Sequence, residues 1–553
     1  MSRKRTSDLW WKNAIVYCLD VETFLDADGD GCGDLVGLTD RIDYLAGLGV
    51  TCVWLMPFYP SPRRDDGYDI TDFYGVDGRL GTPGDFAELI RTARDRGVRV
   101  IADVVLNHTS DAHPWFQAAR TDRDSPYHDF YVWADERPEE PPGGVVFPDK
   151  ENSNWAWDEE AGRWYLHRFY SHQPELNVAH REVRDELAQV LGYWLEQGLA
   201  GFRVDAVPFL LEPTGLPDDA IVDPHELMRD LRRYVSRHRG DAMLLGEVNL
   251  PPKELRTFFG DEDGDELHMC FNFPVNQALY LALVRGDTRP LASALHAQPT
   301  LPDDCQWANF VRNHDELTLD KLSEEERAEV FAAFGPEEHH QLYGRGLRRR
   351  LPTMLDGDQR RMRMVYSLVF SLPGTPVLFY GEEIGMAENL DIEGRTSVRA
   401  PMQWSPDRHG GFTLADEPVR PVVAVDGWGP DDVNVARQRR EEGSLLNWME
   451  RLIRRRRECP ELGWGRFALI DVSEPAVLAH RSDWDGDAIV AVHSFADAPL
   501  EVDVSVGGDV EGAVDLFADE ELRPDGVQAI SVGLEPYGHR WLRLRRRGQR
   551  LPP

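Results

Sequence analysis

Three stretches of the chain place an acid just past an apolar run. They are Gly201–Val207 (GFRVDAV), Met243–Val248 (MLLGEV) and Trp307–Asp315 (WANFVRNHD). Arg203 and Asp205 stand two apart, so in an extended strand they face the same side. A neighbouring guanidinium lowers a carboxylate's pKa and keeps it ionised, as a nucleophile attacking a sugar carbon requires. Glu247 sits among apolar residues, where loss of water raises its pKa and holds the proton a general acid gives up. Asp315, flanked by His314, is suited to hydrogen-bond sugar hydroxyls. Each acid alone is equally well read as half of a structural ion pair. Three acids on three separate strand ends are harder to dismiss.

Other residues surround these. Asp103, Asn107 and His108 close the run IADVVLNH, and Asp103 is placed to support Arg203 as readily as to join His108. The loop Arg64–Ile70 offers Tyr68 as a stacking ring and Asp66 as a hydrogen-bonding acid. Sugars present apolar CH faces and hydroxyl rims, which suits an aromatic plate beside carboxylates. Separately, the segment DADGDGCGD sets acids at Asp26, Asp28, Asp30 and Asp34 with glycines between. Convergent oxygens and a tight wrap suit a hard cation, calcium before magnesium, because an all-protein cage favours the larger ion. Gly37 stands where an EF-hand would carry its bidentate Glu, and an acidic turn is the alternative reading.

The elements that must carry these residues alternate. Strand candidates are Ala14–Phe24, Val50–Phe58, Val98–His108, Gly201–Val207, Met243–Val248, Met269–Phe273, Trp307–Asn313 and Pro376–Tyr380. Helical spacing over Leu38–Leu48 and Asp85–Arg96 ends near Gly49 and Gly97, as helix C-termini prefer. Apolar strands alternating with helices imply a parallel sheet covered on both faces. Eight such units predict an α/β fold, a (β/α)8 TIM barrel over residues 1–108 and 178–460, with a doubly wound open sheet as the alternative. Barrel chemistry sits at the C-terminal ends of the strands, where the acids lie. A Trp- and Pro-rich excursion at 109–177 predicts an inserted subdomain after strand 3. A charged insertion at 318–354 follows strand 7 and is expected to shape the same face. From 461 to 553 the texture turns to alternation, which predicts a C-terminal antiparallel β-sandwich.

Composition narrows the function classes. The 553 residues carry 61 Lys+Arg against 97 Asp+Glu, a net charge of −36. Such a field repels phosphates and anionic lipid, so neither nucleic acid nor membrane is expected as a partner. Hydrophobic residues at 42% fill a core and exclude a disordered chain. No apolar run reaches the length of a membrane span and the N-terminus lacks a signal-like segment, so a cytoplasmic enzyme is expected. Six scattered cysteines without CxxC spacing agree with reduced thiols. Lysine occurs only at 4, 12, 150, 253 and 321; composition bias and a salt-adapted surface both account for this.

The motifs DVVLNH (Asp103–His108), GFRVDAV, GEVN (Gly246–Asn249) and VRNHDE (Val311–Glu316) occur in an order that resembles the α-amylase family, glycoside hydrolase family 13. QPELN (Gln173–Asn177) and GTPVLFYGEEIG (Gly374–Gly385) are in place too, and the resemblance covers nearly the whole chain. It implies Asp205 as nucleophile, Glu247 as acid/base and Asp315 as transition-state stabiliser. Arg203, His108, His314 and Tyr68 would line one sugar subsite, with Asp66 and Arg399 clamping the non-reducing-end glucose. Ala400 replaces a usual Thr beside that clamp. The resemblance also implies calcium at Asp26, Asp28, Asp30, Asp34 and the Cys32 carbonyl, and a second calcium at Asn107 and Glu175, where Glu replaces the usual Asp. Within the family the text is most similar to a subgroup that interconverts maltose and trehalose by a retaining mechanism without an organic cofactor. The rival activity is that of an exo-acting α-glucosidase with the same residues. A catalytically dead sugar-binding protein is a third reading, disfavoured by the presence of all three acids. A homo-oligomer and a separate maltokinase partner are left open.

Overall fold

The computed structural model describes residues 9–141, 143–212, 214–216, 223–508, 510–525 and 528–548. Eight buried strands run parallel: β1 (Val16–Leu19), β2 (Cys52–Leu55), β3 (Arg99–Val104), β4 (Gly201–Val204), β5 (Met243–Gly246), β6 (Met269–Phe271), β7 (Gln306–Phe310) and β8 (Thr375–Phe379). Each pairs with its sequence neighbours, and β8 pairs with β1, which closes the barrel. All eight coincide with the segments read from the sequence. The closed ring removes the open-sheet alternative. All eight end earlier than their apolar text: β1 stops at Leu19 rather than Phe24, and β3 at Val104 rather than His108. The overhanging residues are the loops that carry polar groups. Apolar content alone cannot distinguish a strand end from a buried loop.

Helices wrap the barrel with their apolar faces inward. Pro83–Asp95 starts on a capping box between Thr82 and Asp85 and buries Phe86, Leu89, Ile90 and Ala93. The helix read over Leu38–Leu48 is two, Leu35–Asp40 and Ile42–Leu48, broken at Arg41 and closed by Gly49 at φ 99°. Gly201 opens β4 where a Cβ would lie 2.1 Å from the Met243 carbonyl oxygen, so only glycine lets β4 and β5 approach.

The excursion after β3 holds the helix Pro114–Thr121 and a small antiparallel sheet of Trp133–Ala134, Trp155–Asp158 and Arg163–Leu166. The insertion after β7 holds the helix Glu324–Phe334 and a ribbon of Leu317–Thr318, Gln341–Leu342 and Gly346–Leu347. A third excursion, between β8 and the helix Leu445–Arg457, is irregular and was not separated by the sequence pattern. From Arg466 a six-stranded antiparallel sheet and the pair Leu500–Ser505 and Ala529–Leu534 enclose their own apolar core, the expected sandwich.

Candidate active site

Register brings the acids together. Val204 on β4 lies beside Gly246 on β5, so the next residues, Asp205 and Glu247, leave the barrel side by side. Asp103 on β3 pairs in register with Arg203 on β4. Arg203 is buried and donates to Asp103, Asp205 and Glu247, one guanidinium serving three carboxylates. Asp103 is therefore the support of Arg203, and also accepts from Trp54 Nε1 at 2.8 Å. Directly after Asp205 the chain turns through Ala206 in a left-handed conformation, φ 48°. Strain of this kind persists where surrounding structure over-determines it.

Asp205, Glu247 and Asp315 open onto one cavity of about 410 Å³, together with Tyr68 and His108. Tyr68 stacks parallel to His314, with ring centroids 5.7 Å apart, and its hydroxyl meets His314 Nε2 at 2.7 Å. His314 in turn lies 3.1 Å from Asp315 Oδ2. His314 and Arg203 are sealed beneath the floor and act through these partners.

The expected sugar clamp is displaced. Asp66 and Arg399 do form a buried pair, but neither lines the cavity. From the same two segments it is Asp65 and Arg395 that reach it, bonded to each other; Arg395 also donates to Asp315 Oδ1 at 2.8 Å. Sequence reasoning missed both. The Asp65–Asp66 doublet offered two acids one residue apart, and Arg395 stands four residues before Arg399, so the signal was present but ambiguous.

Burial dominates the electrostatics. It pushes Glu247 up to about 7, against Arg203 and with Asp205 adding to the rise. Burial also lifts Asp205, to about 6, more than Arg203 lowers it. The expected lowering of Asp205 by its arginine is thus outweighed, because the carboxyl is buried at the barrel mouth. For Asp315 the balance is reversed: burial is overcome by His314, Arg395 and Arg399, and its carboxyl is held well below the ordinary range. Burial lowers His108 to about 3 and His314 to about 4, so both rings are neutral.

Two loops meet over the mouth. Phe147 stacks on Tyr170 at 4.7 Å and meets Tyr343 at 5.3 Å, while Arg345 donates to the Val146 carbonyl at 3.0 Å. The excursion after β3 and the insertion after β7 thereby cover the site together. Trp155 packs instead in the excursion's own small core.

At the acidic loop, carboxylate oxygens of Asp26, Asp28 and Asp34 lie within 4.8 Å of one another, a donor set that fits a hard cation. Asp30 is turned to the Cys32 N–H at 2.7 Å. At the second expected position, Glu175 faces Arg168 at 3.2 Å, and Arg168 also meets Glu212 at 2.8 Å. Asn107 and Glu175 are brought together, the Asn107 side chain hydrogen-bonding the Glu175 carboxyl, but there the chain itself supplies the positive charge that the resemblance assigns to an ion, and the residues do not present a vacant cage.

A closed (β/α)8 barrel with these acids at its strand ends is a glycosidase-type scaffold, and residues 20–333 and 342–465 match the family described as alpha amylase, catalytic domain; the chain belongs to the α-amylase family. Residues 486–543 match a sucrose hydrolase-like C-terminal domain. The chain is similar to the trehalose synthase of Pimelobacter sp. (strain R48), 39% identical over 97% of this chain and 96% of that protein. It is 40% identical to the trehalose synthase of Thermus thermophilus over 96% of this chain and 55% of that one. An oligo-1,6-glucosidase of Halalkalibacterium halodurans is more distant, at 29%. Among solved structures, an alpha-amylase from H. orenii superposes with a TM-score of 0.79 at 26% identity, covering 97% of this chain and all of that one. A trehalulose synthase superposes at 0.77 and 26%, with the same coverage.

Proposed function

We propose that this protein interconverts maltose and trehalose by intramolecular glucosyl transfer with retention, with minor hydrolysis to glucose. The observation that carries the proposal is the pair Asp205 and Glu247 on one arginine, facing Asp315 across a covered cavity. Full-length similarity to trehalose synthases supports the choice of substrate. Asp205 attacks the anomeric carbon of the non-reducing glucose; the bond to the second glucose breaks, and the Glu247 proton goes to the departing oxygen. Retaining chemistry needs the two carboxyls close, about 5–5.5 Å apart, and a single guanidinium spans them here. Asp65 and Arg395 hold the bound glucosyl unit. The freed glucose turns within the cavity and presents its anomeric hydroxyl. Glu247, now a carboxylate, takes that proton as the new C–O bond forms and the bond to Asp205 breaks, giving the α,α-1,1 linkage. Water must be kept out for this to exceed hydrolysis, and the Phe147–Tyr343 cover supports that role.

A divalent cation, calcium before magnesium, held at Asp26, Asp28 and Asp34, belongs to the same proposal; it would brace a loop, and no chemical step passes through it. A cytoplasmic location is also part of it, supported by the scattered thiols. Among the described residues no helix is long and apolar enough to cross a membrane. The test is incubation of the purified protein with maltose and identification of the sugars by NMR. Trehalose as the main product is expected. Glucose alone would make the protein a hydrolytic α-glucosidase.

A further inference from the structure

We propose that Arg420 is a positioning residue for this reaction: by occupying one oxygen of Asp66 it prevents Arg399 from closing on Asp66 with both arms, and so keeps Arg399 on Asp315. The inference rests on the proposed glucosyl transfer. Arg399 is buried and its guanidinium is divided. Nη1 donates to Asp66 Oδ2, Nη2 to Asp315 Oδ1 at 2.8 Å, and Nε to the His314 carbonyl at 2.8 Å. A guanidinium beside a carboxylate prefers the two-pronged pairing, which is shorter and stronger than a single contact. Here that pairing is blocked, because both lone pairs of Asp66 Oδ1 are taken, one by Arg420 and one by Arg63 at 3.3 Å. Arg63, which also pairs with Glu22, fills one of that oxygen's two lone pairs, so loss of Arg420 opens the other.

Arg420 is itself fixed from outside the barrel. Its Nη2 also reaches Glu22 at 3.2 Å, and its Nη1 reaches the Arg399 carbonyl at 3.5 Å. The preceding residue, Val419, donates its N–H to the Gly31 carbonyl at 2.7 Å. The Thr413 hydroxyl meets Asp26 in the same acidic loop. A surface loop thus sets the place of a guanidinium that divides Arg399 between a buried acid and a cavity acid. Asp315 contributes when charge develops on the sugar, so its misalignment lowers kcat and kcat/KM together and leaves KM alone.

The experiment compares the wild type with Arg420→Met, Arg420→Lys and Glu22→Gln on maltose and on 4-nitrophenyl α-glucoside, with folding followed by circular dichroism. Arg420→Met is expected to lose about tenfold in kcat with KM within about twofold. Arg420→Lys keeps a cation on Asp66 and is expected to recover most of the loss. Glu22→Gln removes the outer anchor, together with the charge paired to Arg63 and Arg79, while leaving Arg420 on Asp66, and is expected to leave kcat within about twofold while lowering the melting temperature. A folded Arg420→Met with wild-type kcat, or Glu22→Gln falling as far as Arg420→Met, overturns the inference. Should Arg420→Met not fold, Arg420→Lys decides: a loss above about tenfold overturns the charge argument, and a smaller one supports it. A wild type inactive on both substrates overturns the proposed function and this inference with it; an active wild type isolates the inference.

Discussion

At the scale of single residues, catalysis here is a matter of where one proton rests. Burial raises both Asp205 and Glu247, to about 6 and about 7, and the two share Arg203. Because they interact, the protons leave in two steps that belong to the pair. In the proposed mechanism the first step gives the productive form, with Asp205 the ionised nucleophile and Glu247 the protonated acid. Below about pH 6 the nucleophile gains a proton and the rate falls; above about pH 7 the acid loses its proton and the rate falls again. kcat/KM on maltose is therefore expected to follow a narrow bell centred between these values. In Glu247→Gln, assayed on an aryl glucoside whose leaving group needs no proton, the alkaline limb should vanish. A wild-type profile flat from pH 5 to 8 would contradict this proton arrangement.

At the scale of elements, what was legible in the sequence is what repeats. All eight barrel strands, both large excursions and the sandwich were readable, because alternation of apolar runs with helical spacing survives any local irregularity. The three acids were readable because each follows such a run. The segment between β8 and Leu445 was not, since it has no period; of the arginines it delivers, Arg399 was named through the resemblance, while Arg395 and Arg420 were not. Asp65 and Asp66 differ only in which way a turn points them, and turn direction is decided by contacts with that aperiodic segment. The acidic loop gains its importance at this scale. It is stitched to the same segment by the Asp26 N–H to the Phe412 carbonyl at 3.0 Å and by Val419 to Gly31. An ion that binds the folded loop stabilises the fold by mass action. Removing it with EDTA is therefore expected to lower the melting temperature, with calcium restoring it, and Asp28→Asn should be less responsive to either treatment. Equal melting with and without the chelator would remove the cation from the proposal.

At the scale of the whole molecule, the sandwich and the barrel meet through a row of histidines. His480 and His493 stack at 6.1 Å and His493 and His539 at 6.3 Å. His480 reaches Ser371, and His493 and Trp541 reach Ser367, all on the helix Gln359–Ser371. Burial lowers His480 to about 3 and His539 to about 4, and drives His493 well down. In the unfolded chain each would titrate near about 6.5. Between these values the unfolded state binds the extra protons, so the histidine contribution is complete above about pH 6.5 and is lost as pH falls towards the folded values. Buried acids act in the opposite sense: Asp103 at about 6 and Glu382 at about 8 hold protons in the fold that the unfolded chain releases. The overall pH–stability curve mixes the two, so the histidine share has to be read by difference. For His480 alone, lowering the pH to 5 forfeits roughly 2 kcal/mol, about 1.4 kcal/mol for each unit below 6.5. His480→Gln keeps a polar group against Ser371 without a proton to gain, and its melting temperature is expected to fall less than the wild type's between pH 7 and pH 5. Parallel losses in the two proteins would mean that acid opens the molecule elsewhere, and that the histidine row is neutral packing between two domains.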